Sequence, residues 1–191
     1  MRDAWQNYFK HTKNKPPRQL LVKALSFVKK RDNTLDLGAG ALNDSTHLLM
    51  EGFKHIVALD KESVALEIAK NLPLDKFEYV IKNFETFVFP KETFDLINAQ
   101  YALPFISPDK FNEIFQKITL SLKSGGIFTG QLFGDRDGWR QNNKMNFHTK
   151  EDAEKILSSL EIIEFSEEEQ DKPTAAGEMK HWHVFHFIAK K

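Results

Sequence analysis

The sequence contains no cysteine. Disulfides, thiolate nucleophiles and cysteine-ligated zinc are therefore excluded, and the absence fits a reducing compartment. The opening stretch MRDAWQNYFKHTKNK lacks the apolar centre of a secretory signal, and no later run is long and apolar enough to form a transmembrane helix. We therefore expect a cytoplasmic protein with no membrane partner.

An excess of charge of one sign is also absent. Lysine plus arginine and aspartate plus glutamate number 27 each, so the formal net charge is +0. A neutral chain has no overall field that attracts nucleic acid or an anionic membrane, so we expect neither as a partner. A length of 191 residues is enough for one domain with its own core. We predict a single domain over 1–191, with residues 1–30 as an N-terminal helical extension.

Short apolar runs alternate with amphipathic stretches along the chain. Helix starts are indicated at Asn43–Ser45, at Ser107–Pro108 and at Thr149, which has Asp152 three residues later. Strands separated by helices predict a parallel sheet covered on both faces. The C-terminal runs EIIEFSEEE and HVFHFIAKK alternate with period two and predict an antiparallel pair. The predicted fold is α/β, a Rossmann-like, doubly wound, mostly parallel sheet of seven strands with an antiparallel C-terminal edge hairpin. The five earlier strands are predicted at NTLDLG, HIVALD, FEYVIK, FDLINAQ and GIFTGQLF.

The stretch LDLGAGALND, residues 35–44, has the glycine spacing of a nucleotide-binding turn. Gly38 and Gly40 allow a ligand to approach the backbone, while Asn43 stands where a dinucleotide fingerprint has its third glycine. Asp60 ends the next predicted strand, twenty residues after Gly40, where a carboxylate can accept hydrogen bonds from ribose hydroxyls. The pattern predicts a nucleoside site at the carboxyl ends of the strands.

The charge of Asp36 indicates which kind of nucleoside-containing cofactor the site would accept. It lies two residues before Gly38, where a carboxylate would repel the diphosphate of NAD. S-adenosylmethionine has no phosphate, and it offers a ribose to Asp60 and an ammonium group to Asp36. An NAD(P) oxidoreductase and a tight turn without a ligand are the alternatives that the residues leave open.

Taken together, these pieces resemble class I S-adenosylmethionine-dependent methyltransferases. The resemblance covers about residues 30–133, and the predicted hairpin extends it to the C-terminus. It rests on the order and spacing of LDLGAGALND, VALD, KNFETF, FDLINAQYALPF and LKSGGIFTGQLF.

The resemblance implies S-adenosylmethionine as the cofactor and a role for each matching position. Asp36, Gly38, Ala39 and Gly40 would surround the methionine portion, and Asp60 would hold the ribose. The positions implied beside the adenine are Lys61, Asn83 and Phe84, and those close to the transferred methyl group are Gln100 and Tyr101. Core packing for Phe84 and a solvated side chain for Lys61 remain open.

A narrower resemblance concerns the acceptor and the N-terminus. WQNYF, PPR, YALPF and GQLFGDRDGW are similar to segments of small bacterial tellurite-resistance-type and related methyltransferases. It implies that Trp5 and Tyr8 form a lid over the cofactor and that Arg18 pairs with its carboxylate, although simple helix packing is an alternative. The Asn/Asp-Pro-Pro-aromatic motif of base-methylating enzymes is replaced by NAQYALPF. We therefore expect a small-molecule acceptor.

Methyl transfer needs a general base only if the nucleophile is protonated. The candidate catalytic residues are Tyr101, Asp135 and His148, with Asp137 as a further candidate. No metal site is predicted, because His186 points to the opposite face of its strand from His181 and His183. The function predicted is methyl transfer from S-adenosylmethionine to a small molecule, and the alternative is a sensor or partner protein that binds the cofactor without turnover.

Overall fold

The computed structural model describes residues 2–191, and it describes side chains from residue 6 onward. It contains seven strands and six α-helices, with single 3₁₀ turns at Leu25–Phe27 and Leu103–Phe105. The strands are β1 Asn33–Leu37, β2 His55–Asp60, β3 Phe77–Ile81, β4 Phe94–Ala99, β5 Leu122–Phe133, β6 Glu161–Pro173 and β7 Met179–Lys190. The helices are α1 Arg2–Thr12, α2 Gln19–Ala24, α3 Asn43–Met50, α4 Leu66–Ala69, α5 Phe111–Ser121 and α6 Lys150–Leu157.

All seven strands form one sheet in the order β3-β2-β1-β4-β5-β7-β6. The pairs among β1 to β5 are parallel, whereas β7 runs antiparallel to both β5 and β6. This confirms the predicted fold class. The strand order reverses between β1 and β4, where Asp36 is paired with Asn98. In such sheets this is the place where ligands bind.

The two faces of the sheet are buried in separate apolar cores. Along β2, Val57 and Leu59 belong to the core under α5, while Ile56 and Ala58 belong to the core under α2 and α3. Successive side chains of a strand point to opposite faces, so a strand that is apolar at every position must be covered on both sides. This explains why the first strands read as uninterrupted apolar runs.

Several boundaries differ from the prediction. The helix expected at Ser107–Pro108 begins only at Phe111, after a turn, and its cap residue Lys110 makes no side-chain cap. The cap at Thr149 is confirmed, since its side chain accepts a hydrogen bond from the Asp152 amide. The C-terminal strands continue past their apolar residues as far as the pair Pro173–Met179, because the ladder hydrogen bonds hold the polar residues too.

Before α3, Leu42 occupies the cap position with φ of 60°, in place of the three polar residues expected to cap this helix. Each of those side chains instead makes a tertiary contact. Asn43 donates to the Thr12 carbonyl, Asp44 accepts from the Arg18 amide, and Ser45 donates to Asp36. Among residues 2–191, no helix is long and apolar enough to cross a membrane.

Candidate functional site

A cleft of about 1460 Å³ opens where β1, β2, β3 and β4 end. Its floor comes from the loops that follow these strands, because parallel strands deliver their carboxyl ends to one edge of the sheet. The lining includes the N-terminal segment around residues 15–23 and the tip of the β6–β7 hairpin, residues 172–178. The cleft therefore gathers residues from both ends of the chain.

Glycine occupies the two positions of the turn after β1 for different structural reasons. Gly38 has φ of +68°, and a Cβ on it would lie 2.8 Å from the Cβ of Ala102. Gly40 has φ of +51°, but a Cβ on it would meet only the Gly38 carbonyl, at 3.8 Å. Gly38 is thus required by packing inside the protein, whereas Gly40 keeps open space at the lining of the cleft.

Asp60 is held rigidly at the end of β2. Its Oδ2 accepts a hydrogen bond from the Gly40 amide at 2.8 Å, and its Oδ1 accepts one from the Glu62 amide at 2.9 Å. An ionised carboxylate has about four acceptor positions, so two backbone donors leave capacity for further donors from a ligand. Asp60 lines the cleft, and its geometry suits a pair of hydroxyl groups.

Asp36 and Asp44 form a buried acidic pair beside the glycine turn. Asp36 accepts from the Ser45 hydroxyl at 2.5 Å and from the Asn98 amide at 2.8 Å. The same Asn98 amide group donates to Asp44 at 3.1 Å. Burial raises the pKa of Asp36 to about 7, and the neighbouring charge of Asp44 adds to this rise. Both carboxylates line the cleft, so the pair favours a cationic ligand group.

The N-terminal segment brings a cation to the same part of the cleft. The guanidinium of Arg18 lies 5.0 Å from the centre of the Tyr101 ring and donates to the Tyr8 hydroxyl at 3.3 Å. Tyr8 and Arg18 both line the cleft, on the side predicted for the lid. The side chain of Trp5, the third residue of that prediction, lies outside the described residues.

The remaining residues predicted to contact the cofactor are also brought together. Ala39, Lys61, Asn83 and Gln100 line the cleft. Phe84 lines it as well while packing against the core under α5, so its two open interpretations are compatible. Lys61 is exposed at the rim.

A chain of amide side chains, not predicted from the sequence, crosses the floor of the cleft. The amide of Gln100 donates to Asn98 and that of Gln131 donates to Gln100, both at 2.8 Å. Gln131 also accepts from the Tyr101 backbone amide at 2.8 Å, and its Nε2 lies 3.5 Å from Nδ1 of His186. Gln131 is only 2 % exposed within the apolar run GIFTGQLF, and a polar residue in such a run was the available signal.

The three catalytic candidates are separated by the structure. Tyr101 lines the cleft, and burial raises the pKa of its hydroxyl. Asp135 and His148 are not among the residues that line it, although Trp139 of the same loop after β5 is. Asp135 faces Arg136 at 3.6 Å, and the ring of His148 packs 4.9 Å from that of Phe111. Of the three catalytic candidates, Tyr101 is therefore the one that lines the cleft.

A cluster of charges joins the loop after β5 to the hairpin. The side chains of Glu167, Glu169 and His183 bring one potential ligand atom each within 4.8 Å of one another. The guanidinium of Arg136 donates to both carboxylates at 2.8 Å, and its Nη2 lies 3.1 Å from Nε2 of His183. The positive group that these residues hold is therefore an arginine side chain.

Residues 34–126 match the family model described as a methyltransferase domain. The carboxy-S-adenosyl-L-methionine synthase of Vibrio campbellii is 30% identical over an alignment of 113 residues, and the match covers 53% of this chain and 44% of that protein. The chain thus matches less than half the length of this curated relative.

Solved structures share the fold at low sequence identity. A methyltransferase from Methanosarcina mazei described as dependent on S-adenosylmethionine superimposes with a TM-score of 0.69 and 19% identity, covering 92% of this chain and 98% of that one. TehB from Haemophilus influenzae superimposes with a TM-score of 0.72 and 16% identity, covering 90% of this chain and 61% of that one. The 1,6-didemethyltoxoflavin-N1-methyltransferase of Burkholderia thailandensis, solved with bound 1,6-didemethyltoxoflavin and S-adenosylhomocysteine, superimposes with a TM-score of 0.65 and 21% identity, covering 91% of this chain and 77% of that one.

Proposed function

Because residues 34–126 match a methyltransferase-domain model and solved methyltransferases share the fold, we propose that the chain is a class I methyltransferase that binds S-adenosylmethionine and transfers its methyl group to a small molecule. The proposal treats residues 1–191 as one domain, with residues 1–30 as an extension that covers the cofactor. It includes a cytoplasmic location and no nucleic acid partner. The observation that carries the proposal is the carboxylate of Asp60, fixed by two backbone amides beside the open space at Gly40.

The residues present fit the chemistry of this cofactor. S-adenosylmethionine carries a ribose, an ammonium group and a carboxylate. Asp60 suits the ribose hydroxyls, the acidic pair Asp36 and Asp44 suits the ammonium group, and Arg18 supplies a cation for the carboxylate. The open space at Gly40 leaves room for a ligand against the backbone.

The cofactor, when bound, supplies a methyl group that is already activated by its attachment to a sulfonium. The task left to the protein is to hold the acceptor in line and to exclude water. Gln100 and Tyr101 follow β4 at the position that the resemblance assigns to the methyl group. Burial raises the pKa of the Tyr101 hydroxyl further above neutrality, so the hydroxyl stays protonated and we assign it to hydrogen bonding and packing rather than to proton removal.

Thermal unfolding with and without S-adenosylhomocysteine tests cofactor binding. We expect the wild-type midpoint to rise with the ligand, because a ligand that binds only the folded state stabilises it. Asp60→Ala should abolish the rise. Asp75→Ala, at an exposed aspartate outside the cleft, is the matched control and should keep it. The absence of a rise in the wild type would overturn the proposal.

Turnover is tested separately, with cofactor labelled on its methyl group and a metabolite extract as the source of acceptors. We expect label in a small molecule. Cofactor binding without any labelled product would instead support a non-catalytic binding protein. Chemical change of the cofactor itself would indicate a reaction closer to that named for the Vibrio campbellii relative.

A further inference from the structure

Beyond the residues assigned to the cofactor, the cleft is bordered by a cluster of aromatic rings. We call Tyr101, Phe133, Trp139 and Trp182 the aromatic wall; all four line the cleft. Their ring centres form a connected set with neighbour separations of 5.7 to 6.3 Å. The rings come from separate segments, after β4, at the end of β5, in the loop after β5 and on β7. Rigid rings that meet in this way form a surface suited to a flat apolar molecule.

A buried cation supports the aromatic wall from behind. The ammonium of Lys180 lies 3.6 Å from the ring centre of Trp182, 4.1 Å from that of Trp139 and 4.5 Å from that of Phe133. Its side chain is 3% exposed and donates to the carboxylate of Asp137 at 2.7 Å. Lys180 is not among the residues that line the cleft. The electron-rich faces of these three rings are therefore already engaged by a cation.

The fourth ring of the aromatic wall is engaged as well, by Arg18 at 5.0 Å from the centre of Tyr101. A cationic acceptor placed against the wall would meet rings that already serve two cations, so it would gain little further cation–π stabilisation from them. An uncharged aromatic molecule stacks on the same rings without depending on that interaction. The arrangement discriminates by charge as well as by shape.

Polar groups close to the aromatic wall complete the site. His186 and Gln131 both line the cleft, and burial lowers the pKa of His186, so its imidazole is neutral at neutral pH. A neutral imidazole and an amide can hydrogen-bond a hydroxyl group or a ring nitrogen of a ligand. Such heteroatoms are also the usual nucleophiles of small aromatic molecules.

We propose that the aromatic wall is the acceptor subsite and that it selects a flat, uncharged aromatic molecule with a hydroxyl or ring-nitrogen nucleophile over a cationic amine. The proposal rests on the proposed function, since it names the acceptor class of the same cleft. The expected selectivity for charge distinguishes this subsite from a merely apolar pocket, which would not discriminate against an aromatic cation.

Calorimetric titration of the full chain, with and without saturating S-adenosylhomocysteine, tests the proposal. The probes are 2-naphthol, the cation 2-naphthylmethylammonium, and decahydro-2-naphthol, which is uncharged but not flat. We expect 2-naphthol to bind about tenfold more tightly than either of the others. Equal or tighter binding of the cation, or equal binding of the saturated alcohol, would overturn the proposal.

Variants assign the binding to the aromatic wall. Trp139→Leu should weaken 2-naphthol binding about tenfold, and Trp139→Phe should restore part of it. Phe27→Leu is the matched control, because Phe27 is 37% exposed like Trp139 but lies outside the cleft. In the double variant Asp137→Asn with Lys180→Met, the ring faces lose their cation, so the affinity for 2-naphthylmethylammonium should rise. Unchanged 2-naphthol binding in Trp139→Leu would contradict the assignment.

The two proposals fail in different ways. If S-adenosylhomocysteine does not bind, the proposed function fails, and the titrations of the ligand-free protein still decide the charge preference of the aromatic wall. If S-adenosylhomocysteine binds but 2-naphthol does not, only the acceptor class is overturned.

Discussion

Asp36 carries a potential negative charge in surroundings that oppose it. It is 2 % exposed, and its hydrogen bonds come from one hydroxyl and one amide, without a cation among the described residues that donate to it. Burial and the charge of Asp44 raise its pKa from 3.8 to about 7. The folded protein therefore favours the protonated form of Asp36 more than the unfolded chain does.

This raised pKa predicts a stability that depends on pH. The contribution of protonated Asp36 to the free energy of unfolding is fully present below its unfolded-state pKa near 3.8, and it is lost as the pH rises through about 7. Between pH 5 and pH 8 the free energy of unfolding of the wild type should fall by on the order of 2 kcal/mol relative to that of Asp36→Asn, whose side chain does not ionise. Urea unfolding of the ligand-free proteins at both pH values measures this. Asp75→Asn should behave like the wild type, and the same pH slope in Asp36→Asn would refute the assignment.

The two glycines of the turn after β1 predict different defects. Gly38→Ala places a methyl group 2.8 Å from Ala102, in addition to the cost of a positive φ, so it should lower the free energy of unfolding by more than the ~1 kcal/mol that conformation alone requires. Gly40→Ala bears only the conformational cost, but its methyl group enters open space beside Asp60. We expect it to keep its stability better and to lose S-adenosylhomocysteine affinity. Urea unfolding and ligand titration separate the effects, and equal destabilisation by both variants would contradict this account.

At the scale of elements, polar residues connect segments that the apolar cores do not. Asn43 and Asp44 at the start of α3 bind the end of α1 and the backbone of Arg18. Arg136 likewise connects the loop after β5 to β6 and β7. The cleft walls are built from these connected segments, so their positions depend on polar contacts as well as on packing.

Removal of Arg136 should turn the charge cluster on the hairpin into a metal site. In Arg136→Ala, Glu167, Glu169 and His183 lose their shared cation while their potential ligand atoms remain within 4.8 Å. Carboxylate and imidazole groups at that spacing suit Zn²⁺. We expect a lower thermal midpoint that Zn²⁺ raises again, with no such rise in the wild type. Arg140→Ala is the control, since Arg140 contacts the Phe147 ring instead. A variant indifferent to Zn²⁺ would count against the cluster geometry.

At the scale of the whole molecule, the sheet order places distant parts of the chain around one cleft. Residues 15–23 and the hairpin tip, residues 172–178, both contribute to its lining although about 150 positions separate them in sequence. Most residues proposed for the cofactor lie at the ends of β1 to β4 or in the loops after them, whereas three of the four rings of the aromatic wall come from β5, the loop after it and β7. Two ligands that bind together should therefore protect two different regions.

Hydrogen exchange can resolve those regions. S-adenosylhomocysteine should slow amide exchange in residues 15–23 and in the glycine turn, because ordering by a ligand suppresses local opening. Adding 2-naphthol should extend the protection to residues 182–186 of β7. Helix α5, which packs on the sheet and does not line the cleft, serves as the internal control. Protection by 2-naphthol confined to α5 would argue against the location of the acceptor subsite.

Local pattern was sufficient to predict much of the fold and many of the residues that line the cleft. The apolar strands and the turn with Gly38 and Gly40 leave a clear signal, because burial on two faces and close backbone approach each restrict the residue type. The position of Asp60 at a strand end placed it in the cleft without further information. Helix boundaries were less predictable. The polar residues at the start of α3 could cap the helix or bind another segment, and tertiary contacts decided between the two.

The sequence by itself determined the order of strands and helices, the glycine turn and the acidic residues beside it, because these depend on spacing along the chain. Only the tertiary structure decided which polar and aromatic side chains meet. In the structure Asp135 and His148 lie outside the lining of the cleft, whereas Gln131 and His186 belong to it. Lys180 lies behind the aromatic wall. These outcomes depend on how strands far apart in sequence pair across the sheet and on where the chain turns after β5, and no local pattern records either.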